Sequence, residues 1–214
     1  MDPQFVPGDI AACYGADSIS QTISDGTWSL WAPSRLRRGP SHLAILCDDS
    51  TEGSIWVEST STCPHPCLFR KLHVGGVQAQ RPLDRLADYE EIGGRIDLYR
   101  LNRLNRLTAG ESALLTSLLR NLIEEGISYD SAGAILSGLR YVKWSEYWPG
   151  ADLDRLFCSE MIAAVLQRLG RMNRRNPSLF NPANLMRCLV RGGVYSFYTD
   201  CFPRIYSSPE ETAT

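Results

Sequence analysis

The sequence has only three histidines, no excess of charge and no long apolar run, and these shortages exclude whole classes of protein. Lys and Arg total 22 against 24 for Asp and Glu. The formal net charge of -2 supplies no large cationic field, so we do not expect nucleic acid as the partner. No apolar stretch approaches the roughly 18 residues needed to cross a bilayer, so we expect no integral membrane segment.

The N-terminus, MDPQFVPGDI, has neither the basic region nor the apolar stretch of a secretory signal peptide. We therefore expect synthesis in the cytoplasm. Any export is expected to use a non-Sec route, such as a phage particle or a secretion machine. Phage-tail or secretion-machinery proteins are the partners that such a route implies.

Seven cysteines, an odd number, favour free thiols over a disulfide framework in a chain without a secretory signal. Cys63, His65 and Cys67, with His73 nearby, superficially resemble a metal knuckle. Two prolines stiffen this loop, however, and no second Cys/His pair stands at zinc-finger spacing. We therefore expect no metal site.

The composition is typical of one globular domain, at 43% hydrophobic and 21% charged residues over 214 positions. The chain has no internal repeat and no low-complexity tract. We expect a single domain over residues 1–206 and a polar C-terminal tail, SSPEETAT, over 207–214.

Short apolar runs in the first half of the chain predict strands. Residues 42–47 have the pattern of a buried strand, and residues 54–60 follow after a turn, so the two are expected to form a hairpin or meander. Residues 95–101 alternate polar and apolar positions, as a half-buried strand does. Residues 10–14 and 194–198 are the other strand candidates.

Helical spacing of apolar residues appears mainly in the second half of the chain. The clearest helix covers residues 108–125, where Thr108 and Glu111 predict a capping box and Gly126 a glycine C-cap. A second helix is predicted at 157–169 and a third at 183–190, while the polar stretch 18–27 is a candidate for a short one. The fold class is therefore α+β.

Cys158 stands at the start of the helix predicted at 157–169. Unpaired backbone N–H groups and the helix dipole stabilise a thiolate there. The same N–H groups are suited to form part of an oxyanion hole. The structural alternative is a buried core cysteine.

A nucleophilic cysteine needs a base, and the candidates are His42, His65 and His73. His42 begins an apolar strand, where a side chain can project into a cleft, whereas the other two fall in a loop region. Glu58 interrupts the strand expected to pair with that of His42, so it is suited to orient the imidazole. The alternatives are a structural histidine and a solvent-facing glutamate.

Five short motifs occur in a characteristic order: 8–10 (GDI), 41–45 (SHLAI), 57–59 (VES), 129–130 (YD) and 157–160 (FCSE). This order resembles the circularly permuted branch of the NlpC-type papain-like superfamily, which includes the YiiX-like and YaeF-like proteins. The histidine strand comes first in that branch, and the cysteine helix follows late. The resemblance covers about residues 8–185.

The resemblance implies a permuted papain-like fold, with a small antiparallel sheet packed against the cysteine-bearing helix. It implies Cys158 as the nucleophile, His42 as the general base, Glu58 as the group that orients His42, and no cofactor. The predicted substrate-binding residues are Tyr129, Asp130 and Ser159, with the role of Asp130 left open. The chain departs from the simplest relatives in its long segment 60–91, which is expected to shape the substrate entrance.

The resemblance implies a cysteine peptidase or amidase that acts through an acyl-enzyme intermediate. The first hypothesis is hydrolysis of an amide bond in a peptidoglycan peptide by a virion- or tail-associated enzyme or a secreted effector. The second is a lipid or acyl thioesterase or acyltransferase. The third is a non-catalytic structural module on the same fold. The sequence leaves open the choice of amide or ester, the oligomeric state and the delivery route.

Overall fold

The structure, a computed structural model, describes residues 4–60, 63–126 and 156–201. The predicted substrate-binding residues Tyr129 and Asp130 lie outside these residues. The predicted tail at 207–214 also lies outside them. The single domain expected over residues 1–206 stays a prediction.

Six strands form one antiparallel sheet. In chain order they are β1 (Ile10–Tyr14), β2 (His42–Asp49), β3 (Gly53–Thr60), β4 (Gly76–Gln80), β5 (Arg95–Leu101) and β6 (Tyr195–Asp200). Their order across the sheet is β4-β3-β2-β1-β5-β6, so β1 and β2 lie at its centre. The predicted hairpin between the second and third strands is confirmed, while β4 was not predicted.

Five helices are described, and together with the sheet they confirm the α+β class. They are α1 (Ser18–Gly26), α2 (Pro82–Glu91), α3 (Ala109–Glu124), α4 (Leu156–Arg168) and α5 (Pro182–Arg191). The predicted capping box at the start of α3 is present, and Gly126 follows the helix with a φ of 62°. Helix α2 was not predicted. Among the described residues, no helix is long and apolar enough to cross a membrane.

Both faces of the sheet are covered, which explains why most residues of strands β1–β5 are buried. Helices α3 and α4 pack on one face and build the larger core, with Leu43, Ile45 and Val57 from the sheet. Helix α2 packs on the other face over a smaller cluster that includes Ala44 and Trp56. The prediction of a half-buried β5 was therefore wrong, because residues 96–99 are all buried.

The Gly8-Asp9 motif has a structural role at the start of β1. Arg100 binds the buried Asp9 carboxylate through Nε and Nη2, at 2.9 and 2.7 Å. The Tyr195 hydroxyl donates to the Gly8 carbonyl oxygen at 2.8 Å. Gly8 has a φ of 87°, and a Cβ there would lie 2.9 Å from the Leu101 side chain, so glycine is required. The motif thus joins β1 to β5 and β6 at the end of the sheet opposite His42.

Replacing Thr108 by Ala is expected to lower the free energy of unfolding by about 1 kcal/mol. The substitution removes the hydroxyl that accepts a hydrogen bond from the Glu111 N–H at 3.3 Å. Urea unfolding followed by circular dichroism measures the change. Ser117→Ala, at an exposed position in the middle of α3, is the control and should leave the midpoint nearly unchanged. Equal midpoints for Thr108→Ala and the wild type would contradict the role given to the cap.

Candidate active site

His42 and Glu58 are brought together by the pairing of the neighbouring strands β2 and β3. Glu58 pairs with Ala44, two residues from His42, so the two side chains are diagonal neighbours on one face. His42 Nε2 lies 2.9 Å from Glu58 Oε2. Glu58 is fully buried, so the alternative of a solvent-facing glutamate is wrong.

Cys158 is the third residue of α4, in the first turn as predicted. Helix α4 packs on β2 and β3, which brings the sulfur into hydrogen-bond contact with the His42 ring. Because Nε2 of His42 faces Glu58, Nδ1 is the ring nitrogen left for the sulfur. The structure thus places Cys158, His42 and Glu58 in one row, while their catalytic roles stay predictions.

The charges around His42 favour its protonated form. Burial alone lowers the pKa of His42, but the negative charge and hydrogen bond of the Cys158 sulfur, together with those of Glu58, raise it to about 9. His42 therefore carries a positive charge at neutral pH. An imidazolium in contact with a sulfur is the arrangement that an activated thiolate needs.

Arg85 of α2 holds the negative charge of Glu58 in place. Its Nε lies 2.7 Å from Oε1, and its Nη2 donates to Oε2 at 3.3 Å. Burial raises the pKa of Glu58, but the charges of Arg85 and His42 outweigh this effect and lower it to about 2. The carboxylate thus stays ionised although it is fully buried. Arg85 was not among the predicted site residues.

The polar row continues from Arg85 to the surface. Arg85 Nη1 binds Asp88 Oδ2, and Asp88 Oδ1 lies 3.0 Å from Nε2 of His65. The His65 side chain is about one-third exposed. His65, which was weighed as a base and as part of a metal knuckle, is therefore linked to His42 through the charged side chains of Glu58, Arg85 and Asp88.

Arg85 had a recognisable signal in the sequence. Pro82, Arg85, Leu86 and Tyr89 recur at helical spacing, so the arginine stands within an apolar stripe. A charged residue in such a stripe is expected to have a buried partner of opposite charge. That partner is Glu58, and the Arg85 guanidinium also lies 5.4 Å from the Tyr89 ring centroid.

Ser159 follows the predicted nucleophile but is fully buried. Its hydroxyl donates a hydrogen bond to the Phe180 carbonyl oxygen, which ties α4 to the segment before α5. This contact is a structural one, and the predicted contact of Ser159 with substrate stays a prediction. Tyr129 and Asp130, which lie outside the described residues, also remain predictions.

Cys63, His65 and Cys67 make separate contacts. The buried Cys67 sulfur accepts the Ala79 N–H at 3.4 Å, while His65 binds Asp88. Across residues 4–60, 63–126 and 156–201, no three His, Cys, Asp or Glu side chains are grouped to hold a metal ion. None of the seven cysteines, all of which lie within the described residues, forms a disulfide, in agreement with the prediction of thiols.

The site is closed to solvent. Cys158 is 0% exposed and His42 is 7% exposed. Low polarity around charged groups strengthens their interactions, which favours a stable ion pair.

Replacing Arg85 by Met is expected to cost about 3–5 kcal/mol of unfolding free energy, because it leaves the buried Glu58 carboxylate without its guanidinium. Arg120→Met is the matched control. Arg120 binds Asp49 at 3.1 Å, but its side chain is 45% exposed, so we expect a loss of about 0–1 kcal/mol. Urea unfolding of both variants measures the difference, and equal small losses would refute the role of Arg85.

Comparisons with known proteins support the fold. No family model and no curated protein matches the chain. Among solved structures, that of the metalloprotein yiiX from Escherichia coli O157:H7 is similar, with a TM-score of 0.51 and 16% identity. The similarity covers 95% of this chain and 100% of that chain. An identity this low shows the fold alone, so we conclude that the chain has a YiiX-like fold.

Proposed function

We propose that the protein is a cysteine hydrolase in which Cys158 is the nucleophile, His42 the general base and Glu58 the residue that orients His42. The observation that carries the proposal is the contact of Cys158 with a histidine that is charged at neutral pH and bound to a buried carboxylate. A purely structural core has no need of this arrangement, because burying the charged side chains of His42, Glu58 and Arg85 is costly.

In the proposed reaction the Cys158 thiolate attacks the carbonyl carbon of the substrate. A C–S bond forms, and the carbonyl electron pair moves to the oxygen, where N–H groups of the first turn of α4 are placed to stabilise it. His42 gives its proton to the leaving nitrogen as the C–N bond breaks. Water then attacks the acyl carbon and passes a proton to His42. The C–S bond breaks, which releases the acid and restores the thiolate.

We propose a peptide of the bacterial cell wall as the substrate. The support is the order of the motifs around His42, Glu58 and Cys158, which resembles that of the permuted NlpC-type proteins. Phage-tail or secretion-machinery partners, and the delivery route that they imply, stay predictions from the sequence.

An acyl or lipid substrate is the second candidate, and one observation favours it. Cys158 belongs to the larger apolar core, together with Met161, Ile162 and other side chains of α4. An acyl chain is suited to such surroundings, whereas a polar peptide is not. Release of the acyl group from a thioester or ester by the purified protein, without release of peptide from cell walls, would support this candidate over the first.

The neighbour yiiX is a metalloprotein, and a metal ion in the present chain would need a group of ligand side chains. The described part of the chain offers no group of three or more potential ligand side chains. His42 and His65 both use Nε2 to bind a carboxylate. These residues do not fit a metal site, and the proposed reaction does not use one.

Alkylation of Cys158 by iodoacetamide tests the proposal without knowledge of the substrate. Because His42 carries a positive charge next to the sulfur, we expect rapid labelling well below the pH of about 8.5 at which a free thiol ionises. His42→Ala should move the labelling to the range of an ordinary thiol. Mass spectrometry of the labelled peptides follows each cysteine separately.

Cys188 is the internal control, because it is exposed and far along the chain from the site. Its labelling should be the same in the wild type and in His42→Ala. If the pH dependence of Cys158 labelling is the same in the wild type and in His42→Ala, the YiiX-like fold stands but the non-catalytic module is supported. Complete protection of a folded Cys158 at every pH would count against the proposal in the same way.

A further inference from the structure

A short loop before β2 presents three large apolar side chains to solvent. Trp28 is 57% exposed, Leu30 55% and Trp31 85%. We name residues 28–38 the tryptophan loop. Single exposed apolar residues are common, but three within four positions are a local concentration, and grouped exposed apolar residues mark interaction surfaces.

The loop is held firmly, so the exposure of its tryptophans is a property of the fold. Buried Arg187 of α5 donates to the carbonyl oxygens of Leu36, at 2.8 Å, and Arg37, at 3.1 Å. Arg191 donates to the Trp31 carbonyl oxygen at 2.7 Å. The Ser29 N–H bonds to the Arg37 carbonyl oxygen at 2.8 Å and closes the loop. These contacts fix the backbone and leave the indole rings outside.

Positive charge borders the apolar patch. Arg35, Arg37 and Arg38 are exposed within ten residues of Trp28, and Arg191 is exposed beside Trp31. Among the described residues, two carboxylates partner these arginines: Asp25 binds Arg38 at 2.7 Å, and Asp97 lies 3.9 Å from Arg35. The loop is therefore basic in a chain whose formal net charge is -2. Tryptophan and arginine together fit the boundary between the headgroups and the acyl chains of an anionic bilayer.

The loop lies at the active-site end of the sheet. It runs into β2 four residues before His42, and the Tyr14 hydroxyl at the end of β1 donates to the Arg35 carbonyl oxygen at 3.3 Å. Cys13, next to Tyr14, pairs with His42. A surface that binds the loop therefore faces the same end of the molecule as Cys158.

We propose that the tryptophan loop docks the protein onto an anionic lipid surface. The indoles and Leu30 enter the interface, and the arginines contact the lipid headgroups. A second copy of this chain is a poorer occupant, because it would bring the arginines of two loops together. An acidic protein would suit the same arginines and tryptophans, and a wild type that binds no vesicle would favour it over a bilayer. This inference is independent of the chemistry proposed for Cys158.

Co-sedimentation with vesicles tests the proposal. We expect the wild type to bind vesicles of phosphatidylcholine mixed with phosphatidylglycerol, and to bind pure phosphatidylcholine more weakly. The pair Trp28→Ala and Trp31→Ala should lower binding by about tenfold or more. The pair Arg37→Gln and Arg38→Gln should lower it by about fivefold per arginine at low salt and less at high salt.

The loop between β5 and α3 is the matched control, at the opposite end of the sheet. It presents Leu104, which is 97% exposed, between the exposed Arg103 and Arg106. Leu104→Ala, and the pair Arg103→Gln and Arg106→Gln, should bind vesicles as the wild type does. Circular dichroism checks that each variant is folded.

Three results would overturn the proposal. The first is a folded wild type that binds neither kind of vesicle. The second is an equal loss of binding in the control loop. The third is a dimer, seen by sedimentation velocity without lipid, that Trp31→Ala dissociates, because it would assign the patch to a second copy of the chain.

Discussion

The negative charge of Glu58, which is completely buried, is the constraint on which the rest of the site depends. A carboxylate there is tolerated only because Arg85 and His42 neutralise it from two sides. Arg85 requires α2 to cover the second face of the sheet, and His42 requires β2 to pair with β3. The charge of Glu58 in turn favours the protonated His42 that an activated Cys158 needs. The packing of α2 on the sheet and the charges of the site therefore depend on each other.

Much of the fold follows from local patterns. The capping box of α3, the apolar run of β1 and the alternating pattern of β5 predicted those elements. The position of Cys158 in the first turn of its helix was also predicted. Strand β4 was missed because it is short and contains two polar residues, Gln78 and Gln80. Both are buried, through contacts that are distant in the sequence. Arg85 was missed for a similar reason, since its partner stands 27 positions earlier in the chain.

The segment 60–91 supplies both missed elements, because β4 extends the sheet and α2 carries Arg85 to Glu58. Its expected role in shaping the substrate entrance stays a prediction. The likeness to yiiX supports this fold at an identity too low to carry function. The proposed function therefore rests on the contacts among Cys158, His42 and Glu58 in this chain. The tryptophan loop lies at the same end of the sheet as His42, so its docking on a surface would bring Cys158 close to that surface.

The most direct test of the central claim is the titration of the His42 ring by NMR. Three histidines make the spectrum simple, and His42→Asn assigns the resonance. The contacts with Cys158 and Glu58 predict a ring that stays protonated up to a pH of about 9, and Cys158→Ala should lower this pKa. A His42 that titrates near about 6.5, as a free histidine does, and that does not respond to Cys158→Ala would contradict the account.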